Sequence, residues 1–498
     1  MSTSPIHNVP NDVLGEIFSL CLPPDDSEIR LCSSTAPLSL THVCSRWRQV
    51  GSQLPGLWKC LRWEIQTANV SEETGKALAN VVARARSTPH RNLQLLIQNR
   101  AWFKDTEPSN PLPDIAIALF MPPISSLTRL ALKCVPVVQI HALPKGFFPS
   151  IVDLALHLEV SDLYHFPWAQ KGPVGAFSDA QALRRVSLGS SVPMNGHHQD
   201  RPLASPNVLL PWEQLTHFLD FEPPLTHFPS HYTEQCRDLR YLLVKLHEED
   251  VGPSAYLNWA HSGWHNTVLG TLQCVTLNFW SAGREIDFPA FFDFFDVPNL
   301  TALRLDGRGF DFGDVAITWP HLLVERFLTQ LSGLRHLRYL SLRLSSIAPD
   351  TLRRVLQATP HVTTLDAFIQ DNYNSFFEGL VWSVTSQVLP RLDTLVLELD
   401  HSVAIQEEEG DTIDPDAFQA FLESRLGDGG HNSLRKIIAY SSDEQEMDGG
   451  VPFVEVALEY VSRGLIFERK LVKEYQSSLL WMRRDTEVND WPELASVC

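Results

Sequence analysis

The sequence predicts an α/β chain: a short N-terminal helical unit, then a long, irregular solenoid built on a parallel sheet. Three observations predict it. Two amphipathic stripes with helical spacing fill the first sixty residues. A phrase of the form apolar-x-x-apolar-x-apolar then recurs along most of the chain, usually with Leu. Helical stretches separate several copies, each closed by a turn just before the next. The boundaries expected from this pattern are 1–62, 63–454 and, for a C-terminal helical cap, 455–498.

The helical unit starts at Val9-Pro10-Asn11-Asp12. Pro suits a first turn, and Asn or Asp can cap free amides. Leu14, Ile17, Phe18 and Cys21 follow at i, i+3, i+4 and i+7, one helical face. Pro23-Pro24 stops that helix, and the stretch to Pro37 reads as a loop. A second helix carries Leu40, Val43, Cys44, Trp47 and Val50 on one stripe, with Gly51 placed to end it. Leu40 and Val50 are expected inside the unit. Leu54 to Trp58 closes it.

These residues carry a resemblance. Ile6 to Phe18, then Val43-Cys44-Ser45-Arg46-Trp47-Arg48, then Leu57-Trp58 resemble the three pieces of an F-box, in order and at similar spacing. Val9 and Asp12 stand where that family usually has Leu and Glu, and the linker between helices is longer. The resemblance covers residues 5 to about 60. It implies docking on the Skp-type adaptor of a cullin–RING (SCF) ubiquitin ligase, with Pro10, Leu14, Ile17, Phe18, Val43 and Trp47 facing the adaptor. The physical reading agrees, because a helical unit this small cannot bury so many large apolar residues by itself.

The phrase appears as Leu127/Leu130/Leu132, Ile151/Leu154/Leu156, Leu183/Val186/Leu188, Leu239/Leu242/Val244 and Leu272/Val275/Leu277. It continues as Leu300/Leu303/Leu305, Leu337/Leu340/Leu342, Val362/Leu365/Ala367, Leu392/Leu395/Leu397 and Leu434/Ile437/Ala439. Leu215/Phe218 is a weaker copy, and Leu93 with Leu95 to Ile97 is a candidate first one. Helices are expected over Ser71 to Arg86, Asp350 to Ala358 and Asp416 to Leu426. One such unit cannot cover its own apolar edge, so units stack. The pattern resembles degenerate leucine-rich repeats, and the whole layout resembles fungal F-box proteins. In that arrangement the leucines point into the coil and the x residues face outward; Arg304, Arg338 and Arg343 are exposed x positions, read mainly as solvated charges. A compact doubly wound sheet is the competing architecture.

Composition sets limits. The chain has 498 residues and a formal net charge of −19. That balance gives no basic face at whole-protein level, so no nucleic acid is expected as partner. No apolar run is long enough to span a membrane. Eight scattered cysteines without a C-x-x-C pair point to a reducing compartment, cytoplasmic or nuclear. Ser190 to Pro211 reads as a loop. Asp393 to Asp428 holds eleven acidic residues against Arg425 alone; it is either a solvated loop or a patch that attracts a basic partner.

A search for chemistry finds no nucleophile elbow, no H-E-x-x-H and no P-loop, since Ala77 follows Gly75-Lys76. His197-His198 with Asp200 is a weak metal candidate in a Pro-rich loop. Asp414 and Asp416 read as helix capping, and Phe291, Phe292, Phe294 and Phe295 as core. No catalytic residue, cofactor or metal site is expected. The functional expectation is the substrate-recognition subunit of an SCF-type ligase, holding an unknown target protein on its repeats. The alternative is a solenoid scaffold that binds the adaptor without ubiquitin transfer; an enzyme with an unrecognised site ranks third.

Overall fold

The apolar phrases fold into parallel strands, added in chain order. The computed structural model describes residues 9–22, 35–58, 60–65, 93–99, 127–135, 137–159, 168–191, 207–220, 235–247, 267–280, 291–292, 295–306, 321–343, 347–369, 373–399, 415–427, 433–441 and 452–471. They fall into two compact units, divided between Glu222 and Pro223. The expected 63–454 segment is therefore split, and the helical segment belongs to the first unit.

In the first unit, helices α1 (Asn11–Leu20), α2 (Leu38–Val43) and α3 (Ser45–Gln53) precede a 3-10 turn at Pro55–Trp58. Strands β1 (Cys60–Ile65), β2 (Leu93–Asn99), β3 (Leu127–Val135), β4 (Asp153–Glu159), β5 (Arg185–Ser191) and β6 (His217–Asp220) then lie side by side in that order. Short helices α4 (Val137–His141) and α5 (Trp168–Lys171) flank β4 in sequence. The expected 190–211 loop starts late, because β5 runs through Ser191.

The second unit orders β7 (Tyr241–His247), β9 (Cys274–Trp280), β11 (Ala302–Asp306), β12 (Tyr339–Arg343), β13 (Thr364–Ile369), β14 (Thr394–Leu399), β15 (Lys436–Ser441) and β16 (Ile466–Leu471). A separate parallel pair joins β8 (Thr267–Val268) to β10 (Phe295–Asp296). Helices α6 (His321–Gly333), α7 (Pro349–Gln357), α8 (Tyr373–Leu380), α9 (Pro415–Leu426) and α10 (Pro452–Val461) connect the later strands, each packing on the next. α7 buries Leu352, Val355 and Leu356, and α9 buries Phe418, Phe421 and Leu422, as the periodicity predicts. Phe377 of α8 meets Phe418 at 4.8 Å and Phe421 at 6.0 Å, so aromatic rings tie these layers.

The register repeats without slippage through the second unit. Val275 pairs with Leu303, Leu303 with Leu340, Leu340 with Leu365, Leu365 with Leu395, and Leu395 with Ile437. All these side chains are buried, and alternation along each strand puts them on one shared face. A backbone staircase sets the step. Gln273 O accepts from Thr301 N and Ala302 N, Thr301 O from Arg338 N and Tyr339 N, and Arg338 O from Thr363 N and Thr364 N. The first unit does the same, with Val152 O bonded by Arg184 N and Arg185 N.

Two expectations need correction. The C-terminal segment is not purely a helical cap: α10 starts at Pro452, and β16 then adds one more parallel strand to β15. Ile437 pairs with Phe467 there, continuing the apolar row. Phe291, Phe292 and Phe295 are core as expected, but the helical spacing breaks off where Phe295 enters β10. The expected helix at 71–86, the His197-His198-Asp200 group, Phe294, Asp414 and the acidic run at 407–411 lie outside the described residues.

Candidate functional site

The first candidate surface is on the helical unit. Its second helix is two helices, because Cys44 is fully extended (φ −158°, ψ 171°) and breaks the run. The Cys44 sulfur accepts the Trp47 backbone N–H at 3.4 Å and so starts α3. Gly51 does not end α3; it sits buried within it. A Cβ there would lie 3.4 Å from Thr41 and 3.8 Å from Phe18, so the missing side chain permits close packing. Trp58 is fully buried and donates its indole N–H to Gly51 O at 2.9 Å. Leu40 and Val50 are core, as expected.

α1 starts without the predicted side-chain cap. Instead Arg46 of α3 donates to Val9 O and to Asn11 Oδ1, the latter at 2.9 Å, and clips the helix start to its neighbour.

The six residues expected to face a partner divide into three sets. Leu14 and Phe18 are wholly buried, so they support the surface from inside instead of forming it. Trp47 is half-buried, its ring 4.8 Å from that of Phe18. Pro10, Ile17 and Val43 are exposed, Val43 at 60%. Sequence reasoning missed Val13 and Leu20, exposed at 46% and 85%. Their signal was present: Pro10, Val13, Ile17 and Leu20 repeat at three, four and three residues, a second apolar stripe beside the Leu14–Phe18 stripe. An apolar arc this wide exceeds what one internal contact covers.

The second candidate is the sheet face opposite the leucines in the second unit. Arg304 and Arg343 were expected in solvent; both are buried, at 2% and 0% exposure. They belong to a lattice of opposite charges. One register row carries Arg304, Ser341 and Asp366; the next carries Asp306, Arg343, Phe368 and Glu398. Arg304 pairs with Asp306 at 2.8 Å, and Arg343 pairs with Asp366 at 3.4 Å and Glu398 at 2.6 Å. Asp366 Oδ2 also accepts from the Tyr339 and Ser341 hydroxyls, each at 2.8 Å. Burial, then the Asp366 charge, holds the Tyr339 hydroxyl well above the usual phenol range, so it remains a donor. A buried charge demands a partner, and strand spacing supplies one from the neighbouring rung. The first unit has a smaller version: Asp153, fully buried, is gripped by Arg129 at 2.8 Å and by Arg185. In these lattices the buried carboxylates of Asp153, Asp306, Asp366 and Glu398 are each paired with an arginine.

Along the edge where strands begin, the second unit opens a groove of about 550 Å³, lined by Arg240, Gln273, Asn299, Thr301, His336 and Arg338 among others. Arg338 is half-buried there, not a free solvated charge: its Nη1 donates to Arg335 O at 3.3 Å and Leu337 O at 3.1 Å.

Cysteine chemistry is muted. Burial pushes the Cys236 thiol up to about 12, whereas Cys21 is exposed. Iodoacetamide at pH 8 should therefore alkylate Cys21 in the native protein and spare Cys236 until denaturant is added; peptide mass mapping reads this. Prompt native labelling of Cys236 would refute it. Since only the unfolded thiol ionises readily, its stabilising contribution holds below pH 9.0 and is lost as pH rises toward about 12.

Among the described residues no group of three or more His, Cys, Asp or Glu has metal-binding geometry, and no helix is long and apolar enough to cross a membrane. No protein-family model matches the chain, and no curated protein matches it.

Proposed function

We propose that this chain is a substrate-recognition subunit of an SCF-type E3 ubiquitin ligase, without an active site of its own. Its N-terminal helices dock a Skp-type adaptor, and its ladder of strands, read as a degenerate leucine-rich-repeat solenoid, holds a target protein. The reading places the protein in the cytoplasm or nucleus. One observation carries it: a helical unit with a complete internal core still exposes Val13, Ile17, Leu20 and Val43. Burying one such side chain is worth roughly 1.5–3 kcal/mol, so a partner covering several of them gains substantial affinity. The gain from joining adaptor and target is effective concentration, not bond chemistry.

The structure chooses the variant. Leu14→Asp would unfold the unit, because Leu14 is core. Ile17→Asp with Val43→Asp changes only exposed positions. Co-purification with the Skp-type adaptor should be retained by wild type and by Gln49→Ala. The double variant should lose it, with affinity down roughly a hundredfold, about 2.7 kcal/mol. Undiminished binding by a folded double variant would end the proposal.

A further inference from the structure

The groove at the strand-start edge is a place of positive charge in a chain of net charge −19. Its donors are unevenly committed. Thr301 Oγ1 donates to Gln273 O at 3.0 Å, and Asn299 Nδ2 donates to Gly270 O at 2.6 Å. Those polar groups are spent on the walls. Arg338 is held by carbonyl oxygens through Nη1, and its other N–H groups make no hydrogen bond among the described residues. Arg184, at the same pre-strand position in the first unit, is held alike, by Gln181 O at 3.1 Å and Leu183 O at 2.9 Å. Arg240, also one residue before its strand, is exposed. It has no side-chain hydrogen bond or ion pair among the described residues, although Asp238 is two residues away. His336 is exposed beside Arg338 on the same wall. The positive stretch ends at Asp393, which pairs with Arg435 at 3.4 Å.

Spacing sets the ligand. Arg240 precedes β7 and Arg338 precedes β12, three strands away in the order β7-β9-β11-β12. At about 4.8 Å per strand, they stand roughly 14 Å apart. An extended peptide advances about 3.4 Å per residue, so side chains four residues apart span nearly the same distance and point the same way. We propose that this groove binds an extended peptide segment of the target, carrying two anionic side chains four residues apart, one on Arg240 and one on Arg338. Guanidinium groups match carboxylate and phosphoryl oxygens equally in geometry. A nucleic acid fits less well: the stretch is short, the protein's net charge opposes a polyanion, and the described lining contains no Phe, Tyr or Trp for a base to stack on.

The inference rests on the receptor reading for its biological sense, but its test does not need the adaptor. Fluorescent extended peptides with two glutamates, or two phosphoserines, four residues apart are titrated into the full-length protein by anisotropy. Controls carry the same residues adjacent, or alanines. Four-residue spacing should bind at least tenfold more tightly than the adjacent control, and the two charged arms tell carboxylate from phosphoryl preference. Arg240→Ala should weaken binding at least tenfold, and Arg240→Ala with Arg338→Ala about a hundredfold. Among the described residues the Arg240 side chain supports no other group, so its variant tests the site without endangering the fold. Equal binding of all spacings, displacement by inorganic phosphate at similar concentration, indifference to Arg240→Ala, or tighter Arg240-dependent binding of single-stranded RNA would each overturn the assignment. Adaptor co-purification is run on the same groove variants. If it persists while peptide binding is absent from wild type, the groove fails and the receptor reading stands; if peptides bind but the adaptor does not, the reverse holds.

Discussion

Replacing Arg343 by methionine is expected to destabilise the protein by about 3–5 kcal/mol, read by urea unfolding of the full-length chain. The guanidinium is fully buried and serves Asp366 and Glu398, carboxylates on two different strands. Methionine fills much of the volume but leaves both anions without that partner in a low-dielectric site. Asp366→Ala should cost a similar amount, because Tyr339, Ser341 and Arg343 all direct donors at it. The double variant should cost less than the sum by about 0.5–3 kcal/mol, as members of one network do. Because the network is buried, raising salt should leave the effect nearly unchanged. A loss below about 0.5 kcal/mol for Arg343→Met would mean that water reaches the lattice freely.

Arg425→Met should be nearly as damaging, at about 3 kcal/mol, but for a different reason. Arg425 is fully buried in α9 and pairs with no carboxylate among the described residues. Its guanidinium donates to Leu380 O at 3.0 Å, Val388 O at 2.7 Å and Leu389 O at 2.8 Å. Leu380 ends α8, where carbonyls lack helical partners and carry partial negative charge. Burial lowers the guanidinium to about 10, so it remains charged at neutral pH and bears a desolvation cost there. That cost is relieved only as pH rises past about 10. Lysine keeps the charge but lacks the planar fork, so Arg425→Lys should recover less than half of the loss. Wild-type-like unfolding midpoints for both variants would show that the three carbonyls find other donors.

Much of this architecture is legible in the chain because its repeat is a chemical necessity. Leu303, Leu340, Leu365 and Leu395 recur at the same place in the phrase, and the structure stacks them in one row. The periodicity of α7 and α9 is equally plain. The opposite sheet face is not legible. Arg304, Ser341 and Asp366 read as surface residues because charge and polarity ordinarily mean solvent, and only the structure shows Arg304 meeting Asp306 two residues along its own strand and Ser341 meeting Asp366 on the next. The break at Cys44 was hidden for another reason: a sulfur replaced the usual oxygen cap, so the stripe from Leu40 to Val50 looked continuous. Val13 and Leu20 were hidden behind a stronger neighbouring stripe. Of the six expected docking residues, Pro10, Ile17 and Val43 were placed at the surface; Leu14 and Phe18 were drawn inward by the internal core that any helical unit fills first.

The backbone staircase at the strand starts has a mechanical consequence. Most steps in the second unit hang by paired amide links from a single oxygen of the step before, and the last described rung, Ile466–Leu471, pairs with no strand but its predecessor among the described residues. Pulled from the tail, such a molecule would come apart like a zip, rung after rung, while interior rungs, gripped from both sides, hold until their turn.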